Sequence, residues 1–463
     1  MSAFQWGLAV FGLTYLIVPL ILFKLQPPEP TAEDLKRRKR AILLVLGDLG
    51  RSPRMNYHAL SLANGGLDVE LCGYTETPLM EAISEHPRIS IHSLPVIENN
   101  PPRPFVLYAV RKVIVQHLYL YRLLKKFVNA DFLIVQNPPS IPVLGVVRFF
   151  CLFVSKRTKL VIDWHNLGYS ILSLKLGPDH PFVYIHRLYE KWLGRIAFVH
   201  LTVTIAMGHM LRENFNMKAK RIIPFYDRPS SLMNVLSDSQ KQQVITNHPE
   251  LFSEYDNKKC KIVITSTSYT PDENLYTLLE ALKTYASTAP SSSPDLRVIV
   301  TGKGPMYEEM KQEIANISSQ LKSKVTIHQA WLSAEEYPKI IGVADLGVSL
   351  HESSSGWDLP MKVVDMFGCG IPVVALGFAA LPELVKENEN GVIVKDSASL
   401  AEALKSIFSS NRKIYEQIKA GAVREARIKW NDNWNKVLGP LFSIGEYAPV
   451  PDDYESGSSS DSD

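Results

Sequence analysis

Residues 351–372 read HESSSGWDLPMKVVDMFGCGIP. They follow an apolar run, Ala344–Leu350 (ADLGVSL), with the pattern of a buried strand, and lead into another, Pro372–Leu376 (PVVAL). A loop rich in serine and glycine therefore sits between a strand end and a helix. Backbone N–H groups and small hydroxyls at a helix N-terminus make a site for an anion. Ser353, Ser354, Ser355 and Gly356 supply small side chains and close backbone approach, and Lys362 adds a cation. Asp365, three residues on, shares a helical face with Lys362. One end of the element could hold a diphosphate while the carboxylate accepts hydrogen bonds from ribose hydroxyls, which points to a nucleotide-sugar. The plainer alternative is a serine-rich surface loop before an amphipathic helix.

Upstream, Lys261–Thr265 reads as a strand whose end carries the hydroxyls of Ser266, Thr267 and Ser268. Asp272 and Glu273 then favour the N-terminus of a helix containing Leu275, Leu278, Leu279 and Leu282. Leu296–Val300 runs into TGKGP, a tight turn whose Lys303 could approach a nucleotide but which lacks the spacing of a Walker A loop. Val325–Ile327, His328 and Trp331 form the next strand and loop, a place for a nucleotide base. Leu400–Ala426 is helical in pattern, continued by Trp430–Val437.

The first half shows the same alternation. Ala41–Leu46 is a strand, GDLGRSPRM a turn into a helix with Met55, His58 and Leu62, and Leu67–Cys72 the next strand. Gly47, Gly50, Arg51 and Ser52 in that turn could bring an anionic or sugar substrate close to backbone donors. Phe132–Val135 ends in QNPPS and Leu160–Ile162 ends in DWHN. Ligands in open α/β sheets gather at the carboxyl ends of strands, so Gln136, Asn137, Asp163, His165 and Asn166 converge by position, with Asp48 nearby. A transfer to a hydroxyl acceptor needs a base to take its proton, and Asp48, Asp163 and His165 are the candidates. A helix cap and a loop histidine are the structural alternatives for the last two. Leu201–Ile205 (LTVTI) reads as a further strand, and 231–258, polar and weakly periodic, as a linker.

Phe4–Phe23 is almost wholly apolar and long enough for a hydrocarbon core of roughly 30 Å. The basic residues Lys24, Lys36, Arg37, Arg38, Lys39 and Arg40 come after it, which suits an uncleaved anchor with a cytosolic body. Residues 104–127 mix apolar and basic side chains as an amphipathic helix on a membrane surface would. Residues 141–154, apolar but short for a span, fit a core helix. The 463 residues suffice for two domains, and a net charge of +3 implies no nucleic-acid partner. Four dispersed cysteines, Cys72, Cys151, Cys260 and Cys369, form neither a zinc motif nor a disulfide framework. No Asp-x-Asp motif is placed as a metal site; magnesium stays an option for acceptor or product handling. The sequon Asn316-Ile-Ser318 carries no glycan if the body is cytosolic.

The 351–372 stretch, with GDLGRSPRM, QNPPS, DWHN and TGKGP in the same order, resembles the GT-B glycosyltransferases over roughly Ala41–Trp434. Within them it is similar to the endoplasmic-reticulum β-1,4-mannosyltransferases of the dolichol pathway. The resemblance implies an α/β GT-B fold of two Rossmann-like domains facing a cleft, behind an N-terminal transmembrane helix. It implies GDP-mannose as donor, chitobiosyl-diphosphodolichol as acceptor, inversion, the endoplasmic-reticulum membrane as location, and other early dolichol-pathway glycosyltransferases as partners. It also implies that the last helix, with Trp430 and Trp434, returns to the first domain. Retaining GT-B enzymes place two glutamates eight positions apart; here Trp357 stands at the first and Asp365 at the second. The rival readings are a retaining GT-B lipid glycosyltransferase and a catalytically silent membrane-anchored partner subunit. The expected organisation is 1–25 anchor, 26–40 basic linker, 41–230 acceptor domain, 231–258 linker, 259–445 nucleotide-sugar domain and 446–463 disordered acidic tail.

Overall fold

The structure, a computed structural model, describes residues 37–97, 105–270, 273–321 and 324–444. The apolar stretch Phe4–Phe23, most of the basic segment after it, Asp272 and the 446–463 tail lie outside the described residues. Among the described residues no helix is long and apolar enough to cross a membrane.

Thirteen strands among the described residues build two sheets. The first orders its strands β3-β2-β1-β4-β5-β6-β7. These are β1 (Arg40–Asp48), β2 (Asp68–Tyr74), β3 (Ile89–Ser93), β4 (Phe132–Asn137), β5 (Lys159–Trp164), β6 (Val199–Thr202) and β7 (Ile222–Pro224). The second orders them β10-β9-β8-β11-β12-β13, every pairing parallel. These are β8 (Cys260–Ser266), β9 (Asp295–Thr301), β10 (Val325–Ala330), β11 (Leu346–Ser349), β12 (Val373–Leu376) and β13 (Gly391–Val394). Parallel strands covered by helices on both faces need apolar runs rather than alternation, and Ala41–Leu44 of β1 are buried side by side. Strand order reverses at β1/β4 and at β8/β11. Crevices for ligands open at the carboxyl ends of such strands.

The chain divides into two compact units. One comprises the described residues of Met1–Asp163, Ile196–Val199 and Asn431–Asp463, the other Trp164–Arg195 and His200–Trp430.

In the first unit, α1 (Pro53–Asn64) follows the GDLGRS turn, and α2 (Phe105–Leu124) carries the basic amphipathic segment. The C-terminal part of α2 buries Leu120, Leu123 and Leu124, while Val110, Ile114 and Leu118 form an exposed i, i+4, i+8 row. α3 (Val143–Phe149), continued by a π turn to Val154, buries Val143, Leu144, Val146, Val147 and Phe150 in the core. Trp434 is buried there too: its indole N–H donates to Nδ1 of His58 at 3.0 Å, and its ring stacks on Phe442. Trp430, grouped with the second unit, packs edge-on to Phe225, and its backbone N–H donates to the Pro229 carbonyl, both partners lying within residues 41–230.

The second unit contains the helical hairpin α4 (Gly168–Leu176) and α5 (Pro181–Gly194), then α6 (Ile205–Glu213). The expected strand Leu201–Ile205 is cut short because the Thr204 hydroxyl accepts the Met207 N–H and caps α6 at Ile205. Residues 231–258 hold α7 (Asp238–Asn247), opened by a Ser237/Gln240 capping box that rescues a weakly periodic sequence. The helices around the second sheet are α8 (Leu275–Thr288), α9 (Tyr307–Ile317), α10 (Glu336–Val343), α11 (Met361–Gly368), α12 (Ser397–Ile407) and α13 (Lys413–Glu425). The 400–426 pattern is thus two helices, separated by a turn with Arg412 at φ 46°. α14 (Trp430–Val437) follows.

Candidate active site

The serine loop sits at the carboxyl end of β11, at the strand-order reversal of the second sheet. Its fold is fixed by a residue the sequence reading passed over. Asp358 is buried, and its carboxylate accepts hydrogen bonds from the hydroxyls of Ser353 and, at 3.3 Å, Ser355, and meets His351 Nε2 at 3.2 Å. Burial pushes the Asp358 carboxyl up, but the His351 and Ser353 partners outweigh it and hold it below the ordinary range. The same serines accept backbone N–H groups, Gly356 to Ser353 at 2.7 Å and Trp357 to Ser355 at 3.2 Å. Two of the three expected phosphate-binding hydroxyls therefore brace their own loop. Ser354 instead lies 3.3 Å from both the Asn166 amide nitrogen and the Ser170 hydroxyl. Gly356, at φ +78°, needs the freedom of glycine.

Lys362, on the first turn of α11, does not stand as an isolated cation. Its ammonium is ion-paired with Glu273, which is buried. The other Glu273 oxygen accepts the Thr267 hydroxyl at 2.8 Å and, from Ser268, the N–H at 2.7 Å and the hydroxyl at 3.2 Å. Glu273, expected as a helix-terminus acid, is thus the hub joining the end of β8 to α11. The TGKGP turn presses against the same loop. A Cβ on Gly302 would stand 1.7 Å from the Thr267 carbonyl oxygen, and one on Gly304 1.7 Å from that of Ser268. The two glycines of that turn allow this contact and no other residue would. Lys303 lies 4.2 Å over the ring of the exposed Trp331, a cation–π pair at the rim.

Asp365 is joined through Tyr337, whose hydroxyl lies 3.4 Å from the carboxylate and 3.2 Å from the Ser266 hydroxyl. Burial lifts the Asp365 carboxyl to about 7; the Tyr337 hydrogen bond lowers it, and the charge of Asp227 raises it. Asp227 is itself buried and lies 3.8 Å from Nε2 of His165, whose side chain is 30% exposed. The second unit thus brings together Ser266, Thr267, Ser268, Lys303, Ser354, Lys362, Asp365, His165 and Asn166.

In the first unit, the other candidate bases take structural work. Arg54 grips Asp163 through two hydrogen bonds, 2.7 Å from Nε and 2.8 Å from Nη2, and His58 stands 3.4 Å away, all three fully or nearly fully buried. Burial alone would raise the Asp163 carboxyl, but the Arg54 charge and the hydrogen bonds hold it well below the carboxylate range. It is neither basic nor reachable. Asp48 accepts the Thr77 hydroxyl at 2.6 Å and the N–H groups of Glu76 and Thr77 at 3.1 and 3.2 Å. These donors outweigh burial and lower its pKa. Gly50 is needed because a Cβ would stand 2.2 Å from the Thr77 hydroxyl. Arg51 is largely exposed, Gln136 half-buried at the end of β4, and Asn137 fully buried.

Among the described residues, no group of three or more His, Cys, Asp or Glu is arranged to hold a metal ion.

Residues 259–410 match the family model of group 1 glycosyl transferases. A chitobiosyldiphosphodolichol beta-mannosyltransferase of Yarrowia lipolytica is 50% identical over 467 residues, covering 100% of both chains. The chain belongs to the chitobiosyldiphosphodolichol β-mannosyltransferase family. A Mus musculus relative of the same name is 35% identical over 97% of this chain and 98% of its own. The structure of Anabaena HepE in complex with UDP covers 88% of this chain and 100% of its own at 17% identity, TM-score 0.61, a likeness of fold. In this mannosyltransferase-family chain, a glycosyltransferase, Trp357 stands eight positions before Asp365. Its carbonyl accepts the Thr204 hydroxyl at 2.7 Å, and the neighbouring Asp358 carboxylate is turned into the serine loop. Neither supplies a free carboxylate there. Asp358 shares its loop with His351, seven positions away, and a carboxylate following a run of serines is the sequence signal that could have found it. Tyr337 and Asp227 meet Asp365 only through the fold.

Proposed function

We propose that the chain transfers mannose from GDP-mannose to chitobiosyl-diphosphodolichol, forming a β-1,4 linkage with inversion. The observation that carries this reading is the cluster of Lys362, Glu273, Thr267 and Ser268 at the carboxyl end of β8, in a chain whose full-length relatives bear that name. Lys362 exchanges Glu273 for the donor diphosphate and offsets the charge that develops on GDP as the glycosidic bond breaks. Asp365 accepts from the ribose hydroxyls, and Trp331 with Lys303 flanks the base.

His165 takes the proton of the acceptor hydroxyl as that oxygen forms its bond to C1 of mannose, on the face opposite the departing GDP. Its partial exposure and the buried Asp227 carboxylate beside it support this role. The absence of any free carboxylate at Trp357–Asp358 supports inversion over retention. Arg51 and Gln136 are the first unit's acceptor-binding side chains, with Gly50 and Asn137 shaping the backbone around them, and Asn166 is the second unit's. Phe4–Phe23 anchors the chain in the endoplasmic-reticulum membrane with its catalytic body cytosolic, where neighbouring dolichol-pathway transferases could join it.

The test is transfer by the detergent-solubilised full chain to a chitobiosyl-diphospho-lipid, with GDP-mannose and UDP-N-acetylglucosamine in separate reactions. A β-mannosidase-sensitive product from GDP-mannose alone is expected. Transfer from neither donor, with nucleotide binding also absent, sinks the reading.

A further inference from the structure

The helical hairpin α4–α5 (Gly168–Leu176 and Pro181–Gly194) turns an apolar face to solvent. Leu174 is 62% exposed, Phe182 57%, Ile185 55% and Trp192 59%, with Ile171 and Leu176 beside them. On α5, residues 185, 188 and 192 follow the i, i+3, i+7 spacing of one helix face. The opposite face buries Val183, Glu190 and Gly194. The apolar face is thus presented outward while the helix packs through its other side.

The charges are arranged to match. Glu190 is directed inward, where its carboxylate accepts the N–H groups of Gly168 at 2.8 Å and Tyr169 at 3.2 Å and so locks α4 to α5. That leaves Asp179 as the one exposed acid in 168–195, against the cations Lys175, Arg187, Lys191 and Arg195. Arg195 stacks over Trp192 at 5.1 Å and Arg187 over Tyr169 at 5.8 Å. An apolar face bearing an indole, with Arg195 over that indole and the exposed Lys175 between Leu174 and Leu176, is the composition of an element lying in a lipid interface. A protein partner of comparable fit would need its own acidic rim.

We propose that this hairpin docks on an anionic bilayer surface. Its base is at the donor loop: Ser170, in the first turn of α4, and Asn166 just before it each lie 3.3 Å from Ser354. A helix of this length rises about 13 Å, so the hairpin spans from the serine loop to the lipid. Resting on the function proposed above, the docking brings a lipid-linked acceptor's head group to His165 while its prenyl chain stays in the bilayer.

The test uses the full chain with Cys260→Ser, reconstituted in phosphatidylcholine vesicles with and without phosphatidylserine. An environment-sensitive fluorophore is attached at Leu174→Cys or Ile185→Cys, or at the control Glu308→Cys on α9, and quenched by a shallow nitroxide lipid. Quenching several-fold stronger at 174 and 185 than at 308, and stronger with phosphatidylserine, is expected. No differential quenching, or a label shielded from water yet untouched by the nitroxide lipid, overturns the proposal and points to a protein or a second copy as the cover. Trp192→Glu is expected to raise KM about tenfold for a long-chain acceptor in vesicles and leave a short-chain soluble acceptor unchanged. Quenching with no transfer from GDP-mannose keeps the docking and sinks the function; transfer without quenching does the reverse.

Discussion

The Nζ of Lys362 is ion-paired with Oε1 of Glu273, 89 positions earlier in the chain, while Oε2 of the same carboxylate holds the Thr267 hydroxyl and the Ser268 N–H. One carboxylate thereby keeps a cation ready for a diphosphate and fixes the loop that faces it.

Lys362→Ala should lower kcat/KM at least ~100-fold, about 3 kcal/mol of transition-state stabilisation. Glu273→Gln keeps the acceptor for Thr267 and Ser268 but strips the ammonium of its partner. Its melting temperature should drop while the KM for the nucleotide-sugar does not rise. A Glu273→Gln variant as inactive as Lys362→Ala would count against the exchange of partners.

Asp163 titrates below the carboxylate range in the folded chain, whereas its unfolded value is about 3.9. The unfolded state therefore binds the proton first as pH falls. The stability that Asp163 contributes is present above about pH 4 and lost as pH drops toward its folded value. Asp163→Asn should destabilise by about 3 kcal/mol, because it leaves Arg54 buried without its counter-charge, and should flatten the acid limb of a melting curve. The folded fraction should retain its kcat. Loss of kcat in properly folded protein would restore Asp163 as a catalytic group.

His165→Ala should reduce kcat by about 10²–10⁴-fold with donor binding intact. Asp227→Asn should lower kcat by less than His165→Ala does, as befits a group that acts by holding the imidazole. Equal kcat for His165→Ala and the parent chain across the pH range would eliminate His165 as the base.

Asp365 is displaced the other way, to about 7. Between about pH 4 and pH 7 the unfolded chain loses this proton and the folded chain keeps it, so stability falls as pH rises. Asp365→Asn should remove that fall, giving a smaller difference in melting temperature between about pH 5 and pH 7.5. Donor affinity of the parent should strengthen as pH passes through about 7, where the carboxylate becomes able to accept from ribose. An unchanged difference in melting temperature in Asp365→Asn would refute the raised pKa.

Asn316 is exposed near the end of α9, so the sequon is accessible wherever the body resides. No mass shift on endoglycosidase treatment is expected. A shift lost in Asn316→Gln would place the body in the lumen.

Sequence alone determined the two alternating α/β sheets, because parallel strands buried on both faces must be continuous apolar runs such as Ala41–Leu44, and the turns between them must carry glycine and polar residues. It also located the serine loop, Lys362 and Asp365, since strand ends and helix starts are local features. The division of labour among the charged groups was decided by tertiary structure. Asp48, Asp163 and His165 look alike as polar residues at strand ends, yet Thr77 hydrogen-bonds the first, Arg54 pairs with the second, and the third stays partly open. Glu273, Tyr337 and Asp227 acquire their roles from partners far away in the chain, Lys362, Ser266 and His165 respectively. Electrostatics depends on distance in space and on burial, and neither is written in the spacing along the chain.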